Sequence, residues 1–219
     1  MCQCGNDHGM ILKAESDLLK GIRAAVRGLF NAQTTQVDFY GQMQSVITRR
    51  LTEAFYKGAA KCGIKPDELT AEEREIMQTL INSNMTYVSS FGADIVADRE
   101  QFLADNPGKV LGPRSFPAPL RALYGRVDLW VGRYNEAVQL GQVTACKDKK
   151  LEWVLGEAEH CSSCLKLAGK VKRASFWLSS GIIPRVAGAG YLECRGYRCQ
   201  CSLNETEKPL SKGPLPRLP

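Results

Sequence analysis

The chemistry this sequence offers is carried by sulfur. Its 219 residues include nine cysteines but only two histidines, His8 and His160. Five of the cysteines, Cys161, Cys164, Cys194, Cys199 and Cys201, fall within 41 residues, and His160 adjoins the first of them. A Cys-x-x-Cys turn presents two thiolates to one tetrahedral ion, and a second group about 30 residues later closes the shell. The pattern points to structural zinc, with Cys161, Cys164 and Cys199 as the firmest ligands. Cys201 and Cys194 compete for the fourth place, with His160 behind them. Other states use the same residues. Disulfides between the two groups would leave one of the five unpaired, and all five could instead be buried free thiols. A thioredoxin-type redox pair wants a βαβ setting and would leave Cys194, Cys199 and Cys201 without a task.

The same residues argue against turnover. A catalytic metal keeps an open position beside a general base, and two histidines leave little from which to build one. The His-x-Glu and Pro-Cys-x-x-Cys pattern of a zinc deaminase is absent. Glu157 and Glu159 lie near the first cysteine pair but read as a solvated face. The expectation is a protein without enzymatic activity. At the other end, Cys2, Cys4 and His8 lack an evident fourth ligand and read as a frayed terminus with free thiols. Cys62 and Cys146 have no nameable role.

The elements that must position these sulfurs are mostly helical by pattern. A hydrophobic fraction of 44% and a charged fraction of 24% exclude wholesale disorder and a membrane bundle. Leu18, Leu19, Ile22, Val26, Leu29 and Phe30 recur at helical spacing, and Val37, Tyr40, Met43, Ile47, Leu51 and Phe55 continue the run. Polar residues 33–36 mark a bend or break between them. Gly63 and Pro66 end the segment. A second helix is predicted over 70–104. Thr70 and Glu73 form a capping box at its start, and Ile76, Leu80, Asn84, Tyr87, Val88, Phe91 and Ile95 form its apolar face. A third is predicted from Pro117 or Pro119 to Leu140, with its aromatics in the core.

The predicted organisation is therefore a polar lead at 1–14, a helical body at 15–146, a Cys-rich module at 147–203, and a proline-rich extended tail at 204–219. The fold class is mainly α, with a small zinc-stapled module of little core of its own, to which a metal would contribute folding free energy. Charge follows the same division. Residues 147–219 carry 13 Lys and Arg against 7 Asp and Glu, whereas residues 1–146 carry 16 of each. Lys170, Lys172, Arg173, Arg195 and Arg198 are candidates for facing DNA phosphates, with Lys147, Lys149 and Lys150 at the module entrance. A pI of 8.8 is modest for a nucleic-acid binder. No secretory signal and no spanning segment are legible, so the expected setting is a reducing cytosol, where thiols stay reduced or bind metal.

One arrangement is more specific than its parts. Trp153 and Gly156 precede His160-Cys161-x-x-Cys164, followed by Leu167 and Gly169, then Trp177, Gly181 and Pro184, then Leu192-x-Cys194 and Cys199-x-Cys201-x-Leu203. This resembles the C-terminal module of tailed-phage minor head proteins, the head-morphogenesis proteins related to the F protein of phage Mu. Leu69-Thr70-x-Glu72-Glu73, Leu80, Tyr87, Phe91, Asp94-Ile95, Arg133-Tyr134, Ala137 and Gly141 extend the similarity upstream, over roughly residues 65–203. The resemblance implies a structural protein of the virion, located at the portal or neck and made in the host cytoplasm. It implies a role in capsid assembly, DNA packaging or DNA delivery. The implied partners are the portal protein, the major capsid protein and neighbouring virion subunits in an oligomeric particle, with packaged DNA as a further contact and no membrane. The rival readings from the residues are a zinc module that binds nucleic acid and a Cys-x-x-Cys redox or metal enzyme.

Overall fold

Helix α1 spans Asn6–Phe30 and α2 spans Gln36–Ala60 in a computed structural model of the chain. The structure describes residues 6–157, 159–186, 188–196 and 199–218, with side chains from residue 16 onward. Cys2, Cys4 and Arg198 lie outside the described residues, as does the side chain of His8. A single 3₁₀ turn at Pro66–Glu68 leads into α3, Ala71–Asp105. Then follow α4 (Ala118–Val127), α5 (Trp130–Ala145), β1 (Lys150–Val154), α6 (Ser162–Leu167), β2 (Val171–Arg173), α7 (Ala174–Ser180) and β3 (Ser202–Glu205). The protein is mainly helical. None of the described helices is long and apolar enough to cross a membrane.

Local chemistry explains the main breaks. The polar stretch after Phe30 does interrupt the first helical run. There Thr35 caps α2: its hydroxyl accepts from the Asp38 N–H at 3.1 Å, and the Asp38 carboxylate accepts from the Thr35 N–H at 3.0 Å. The Thr70–Glu73 capping box forms as expected, with Thr70 N–H donating to Glu73 at 2.9 Å and Glu73 N–H to the Thr70 hydroxyl at 3.3 Å.

Four expectations need correction. The described part of the lead is helical, because α1 already starts at Asn6, where the sequence Asn6-Asp7 suits a helix start. The third predicted helix is two. After Val127 the N–H groups of Leu129 and Val131 bond three residues back, to Arg126 and Asp128, which tightens the chain into a turn. Val37, Tyr40 and Tyr87 are exposed, and Phe39 takes the core place on α2. Finally, the module has a core and a sheet of its own, described below.

The chain divides into two compact units, and the division does not follow the boundary at residue 146. The first comprises residues 1–50 and 79–131. Leu18, Ile22, Val26, Leu29 and Phe30 of α1 are buried there, as are Phe39, Met43 and Ile47 of α2, Val88, Phe91 and Ile95 of α3, and Leu120, Leu123 and Val127 of α4. The Phe39 and Phe91 rings meet edge to face at 6.3 Å. Arg126 pairs with Asp94 at 2.8 Å and lies 4.7 Å from the Phe91 ring centre.

The second unit comprises residues 51–78 and 132–219. Its antiparallel sheet has the order β2-β1-β3, with Leu151 opposite Lys172 and Trp153 opposite Leu203. Leu151 and Trp153 point into a core shared with Val143, Leu167, Trp177, Ile183, Leu192 and Leu203. The Trp177 indole donates to the Leu151 carbonyl at 3.1 Å. The buried Gln139 of α5 accepts the Leu203 N–H at 3.0 Å, so a helix side chain ties down the β3 strand. The chain after β3 is held against the sheet. Val171 N–H donates to the Ser211 hydroxyl, Ser211 N–H to the Val171 carbonyl, and Lys172 donates to the carbonyls of Ser211 and Gly213.

Candidate metal centre

The two sulfur groups of the second unit are built differently. Cys62 and Cys146 form a disulfide with their Cα atoms 5.6 Å apart. No role was legible for either residue, and an expected reducing setting argued against a cross-link. Two glycines make the approach. A Cβ on Gly58 would stand 2.1 Å from the Val138 carbonyl oxygen, and one on Gly141 would stand 2.1 Å from that of Phe55. Only hydrogen fits at either position, so the backbones of α2 and α5 touch a turn before the cysteines.

The other five cysteines, Cys161, Cys164, Cys194, Cys199 and Cys201, are free thiols. All five expected ligands converge, from the N-cap and first turn of α6, the turn at 191–196 and the start of β3. The sulfurs of Cys161, Cys164 and Cys194 lie within 4.8 Å of one another, and so do those of Cys164, Cys199 and Cys201. This cluster could hold a metal ion. Cys164 and Cys201 are buried, while Cys161, Cys194 and Cys199 are half-buried.

The surroundings favour the thiolate at Cys161 and Cys201 and the protonated thiol at Cys164 and Cys194. Burial opposes the charged form of Cys161, but N–H groups of Cys164 and Cys194 and the thiols of both residues outweigh it and lower the pKa. Cys201 is held down to about 3 by the thiols of Cys164 and Cys199, against its burial, with help from the Trp153 indole and the Gly156 N–H. The Trp153 N–H is buried and has no conventional hydrogen-bond partner, so a sulfur anion is the acceptor its position suits. Cys164, at the centre, is pushed up by the neighbouring Cys199 and Cys201. Burial raises Cys194 to about 11, against the Gly196 N–H. A divalent ion removes this competition by replacing the shared protons. Buried thiols with N–H donors already directed at them are the donor set of a structural zinc or a similar soft-ligand metal.

Backbone geometry supports the cluster. Gly156 packs against residue 200, between two ligands: a Cβ there would meet the Gln200 carbonyl oxygen at 2.5 Å. Its carbonyl accepts from His160 Nε2 at 3.0 Å. Ser163, fully buried on α6, accepts the Glu193 N–H at 3.0 Å, and Glu193 accepts the Ser162 N–H at 2.9 Å. These reciprocal bonds dock the Cys161–Cys164 turn onto the segment bearing Cys194.

The candidate DNA-facing residues among the described residues do not join the cluster. Lys172 is engaged by the tail, and Arg173 donates to the Asp148 carbonyl at 2.8 Å. Lys170 is half-buried, whereas Arg195 is exposed with a positive φ of 49°. Lys147, Lys149 and Lys150 pair with Glu73, Glu205 and Glu207.

No family model, curated protein or solved structure matches the chain.

Proposed function

We propose that the chain is a structural protein of a tailed-phage virion, a minor head protein acting at the portal or neck, whose second unit is fastened by zinc. The observation that carries the reading is the convergence of all five cysteines of the resemblance motif on one buried thiol cluster. The motif's Trp153 and Trp177 pack 5.8 Å apart in the core beside it. The role is assembly rather than turnover. A sulfur-rich shell gives the ion its charge balance from the protein and makes it a cross-link. The fastened unit would serve as a rigid docking body for portal or capsid subunits. The excess positive charge of residues 147–219 favours a setting beside packaged DNA.

Two measurements test this. Protein purified under reducing conditions should contain at least one zinc per chain, and a metal-free folded protein would overturn the zinc assignment. Particles of the phage that carries the gene should contain the chain, and heads assembled without it should fail in packaging or infection. Full-titre particles lacking it would overturn the virion role.

A further inference from the structure

A single tetrahedral ion wants four donors in one group. With metal–sulfur bonds of about 2.3 Å, ligand sulfurs stand about 3.8 Å apart, every pair alike. The five sulfurs here are arranged otherwise. They fall into two groups of three that meet at Cys164: Cys161 and Cys194 on one side, Cys199 and Cys201 on the other. A sulfur shared by two triads is the position of a bridging thiolate.

His160 stands beside one group without joining it. Its Nδ1 lies 3.6 Å from the Cys201 sulfur, but the ring is not part of the group that Cys201 forms with Cys164 and Cys199. Nε2 contacts the Gly156 carbonyl at 3.0 Å, and a carbonyl only accepts, so Nε2 carries the hydrogen and Nδ1 keeps its lone pair toward Cys201.

We infer that the cluster holds two divalent metal ions bridged by the Cys164 thiolate, one bound by Cys164, Cys199 and Cys201, the other by Cys161, Cys164 and Cys194. The inference rests on the metal reading above and deepens it. Two four-coordinate ions need seven donors when one is shared. The cysteines supply five, and one position on each ion falls to water, beside the half-buried Cys161 and Cys194 on one side and the half-buried Cys199 on the other. Charge favours the same count. One ion with four thiolates leaves two negative charges in a partly buried site, while two ions with five thiolates leave one. Each cysteine binds as the thiolate, so the thiol protons still present are released on loading, and no electron changes hands.

The test uses the full chain, reduced and stripped of metal, then titrated with Co(II) and, separately, Zn(II). Native mass spectrometry should show two Zn(II) ions per chain at saturation. Sulfur-to-cobalt absorption should rise to two equivalents. The high-spin Co(II) paramagnetic resonance signal should grow to one equivalent and fall as the second ion couples through the shared sulfur. Cys194→Ser should reduce the stoichiometry to one and abolish the fall in signal. His160→Ala, beside the cluster but outside both groups, should leave two ions bound. Saturation at one ion per chain, or two ions without spin coupling, would overturn the bridged pair while leaving a structural metal in place. No tight ion at all would overturn both.

Discussion

Phe39 and Trp153 are both buried to within about a percent, yet their surroundings hold them differently. Phe39 lies on a long helix that satisfies its own backbone hydrogen bonds. Its place in the first unit depends on apolar spacing and on edge-to-face contact with Phe91. Trp153 lies on a strand of five residues beside strands of three and four. Such short strands bring few hydrogen bonds and little apolar area of their own. The second unit supplements them with sulfur: a disulfide at the α2–α5 contact and a thiol cluster beside the sheet. Periodic side chains suffice where secondary structure is long, and cross-links compensate where it is short.

The sharpest break of this comparison is metal removal. Cys164→Ser, or a strong chelator under reducing conditions, should unfold the segment around the thiol cluster while leaving most of the helical signal in place. Structural zinc contributes on the order of 10 kcal/mol in small modules, so the effect should be the largest of any single change. Far-ultraviolet circular dichroism with near-ultraviolet tryptophan signals would separate the two regions. Coincident loss of both signals would show that the units do not differ in this way. Next in size, Phe39→Ala should destabilise the first unit by about 3–5 kcal/mol in urea unfolding and leave metal content unchanged. Cys62→Ser should then cost about 2–4 kcal/mol under non-reducing conditions, because the disulfide closes a loop across a sequence separation of 84. Dithiothreitol should reproduce that loss without releasing metal. If it releases metal as well, the two sulfur groups form one cooperative staple.

Most helices of the first unit were legible in the sequence because the face they bury is periodic. Leu18, Ile22, Val26 and Leu29 repeat every three or four residues, and a 3.6-residue turn leaves little choice of face. The misplacement of Val37 and Tyr40 arose because an apolar residue near a helix start can satisfy the period and still face solvent. The thiol cluster was legible because its spacing is local. Cys62 and Cys146 were not, because nothing in the sequence marks partners 84 residues apart. The signal that existed was indirect: Gly58 and Gly141 each precede a cysteine by four or five residues, and their meaning depends on the two helices touching. The strands were hidden by length, since three to five residues do not establish a period of two. His160 ranked behind the cysteines and stands outside both sulfur groups, touching only Cys201 among them, at 3.6 Å.

The smallest effect concerns Glu73, where helix capping and an ion pair meet in the second unit. Burial pushes its carboxyl up, but hydrogen bonds from Thr70 and the Lys147 ammonium, 3.4 Å away, outweigh this and lower the pKa below the ordinary value of 4.5. A group whose folded pKa is lowered binds its proton more readily in the unfolded chain. Its contribution is therefore fully present above about pH 4.5 and is lost as pH falls through the lower folded value. Glu73→Gln keeps a side chain that can accept the Thr70 N–H but removes the charge paired with Lys147. It should cost about 1 kcal/mol at neutral pH and flatten the acid limb of the stability profile measured by urea titration. The disulfide does not titrate in this range, so a Cys62→Ser profile should run parallel to that of the unsubstituted chain. An unchanged acid limb in Glu73→Gln would place the acid sensitivity of the second unit elsewhere, in Glu193, whose pKa hydrogen bonds from Ser162 also lower, or in the protonation of thiolates that hold a metal.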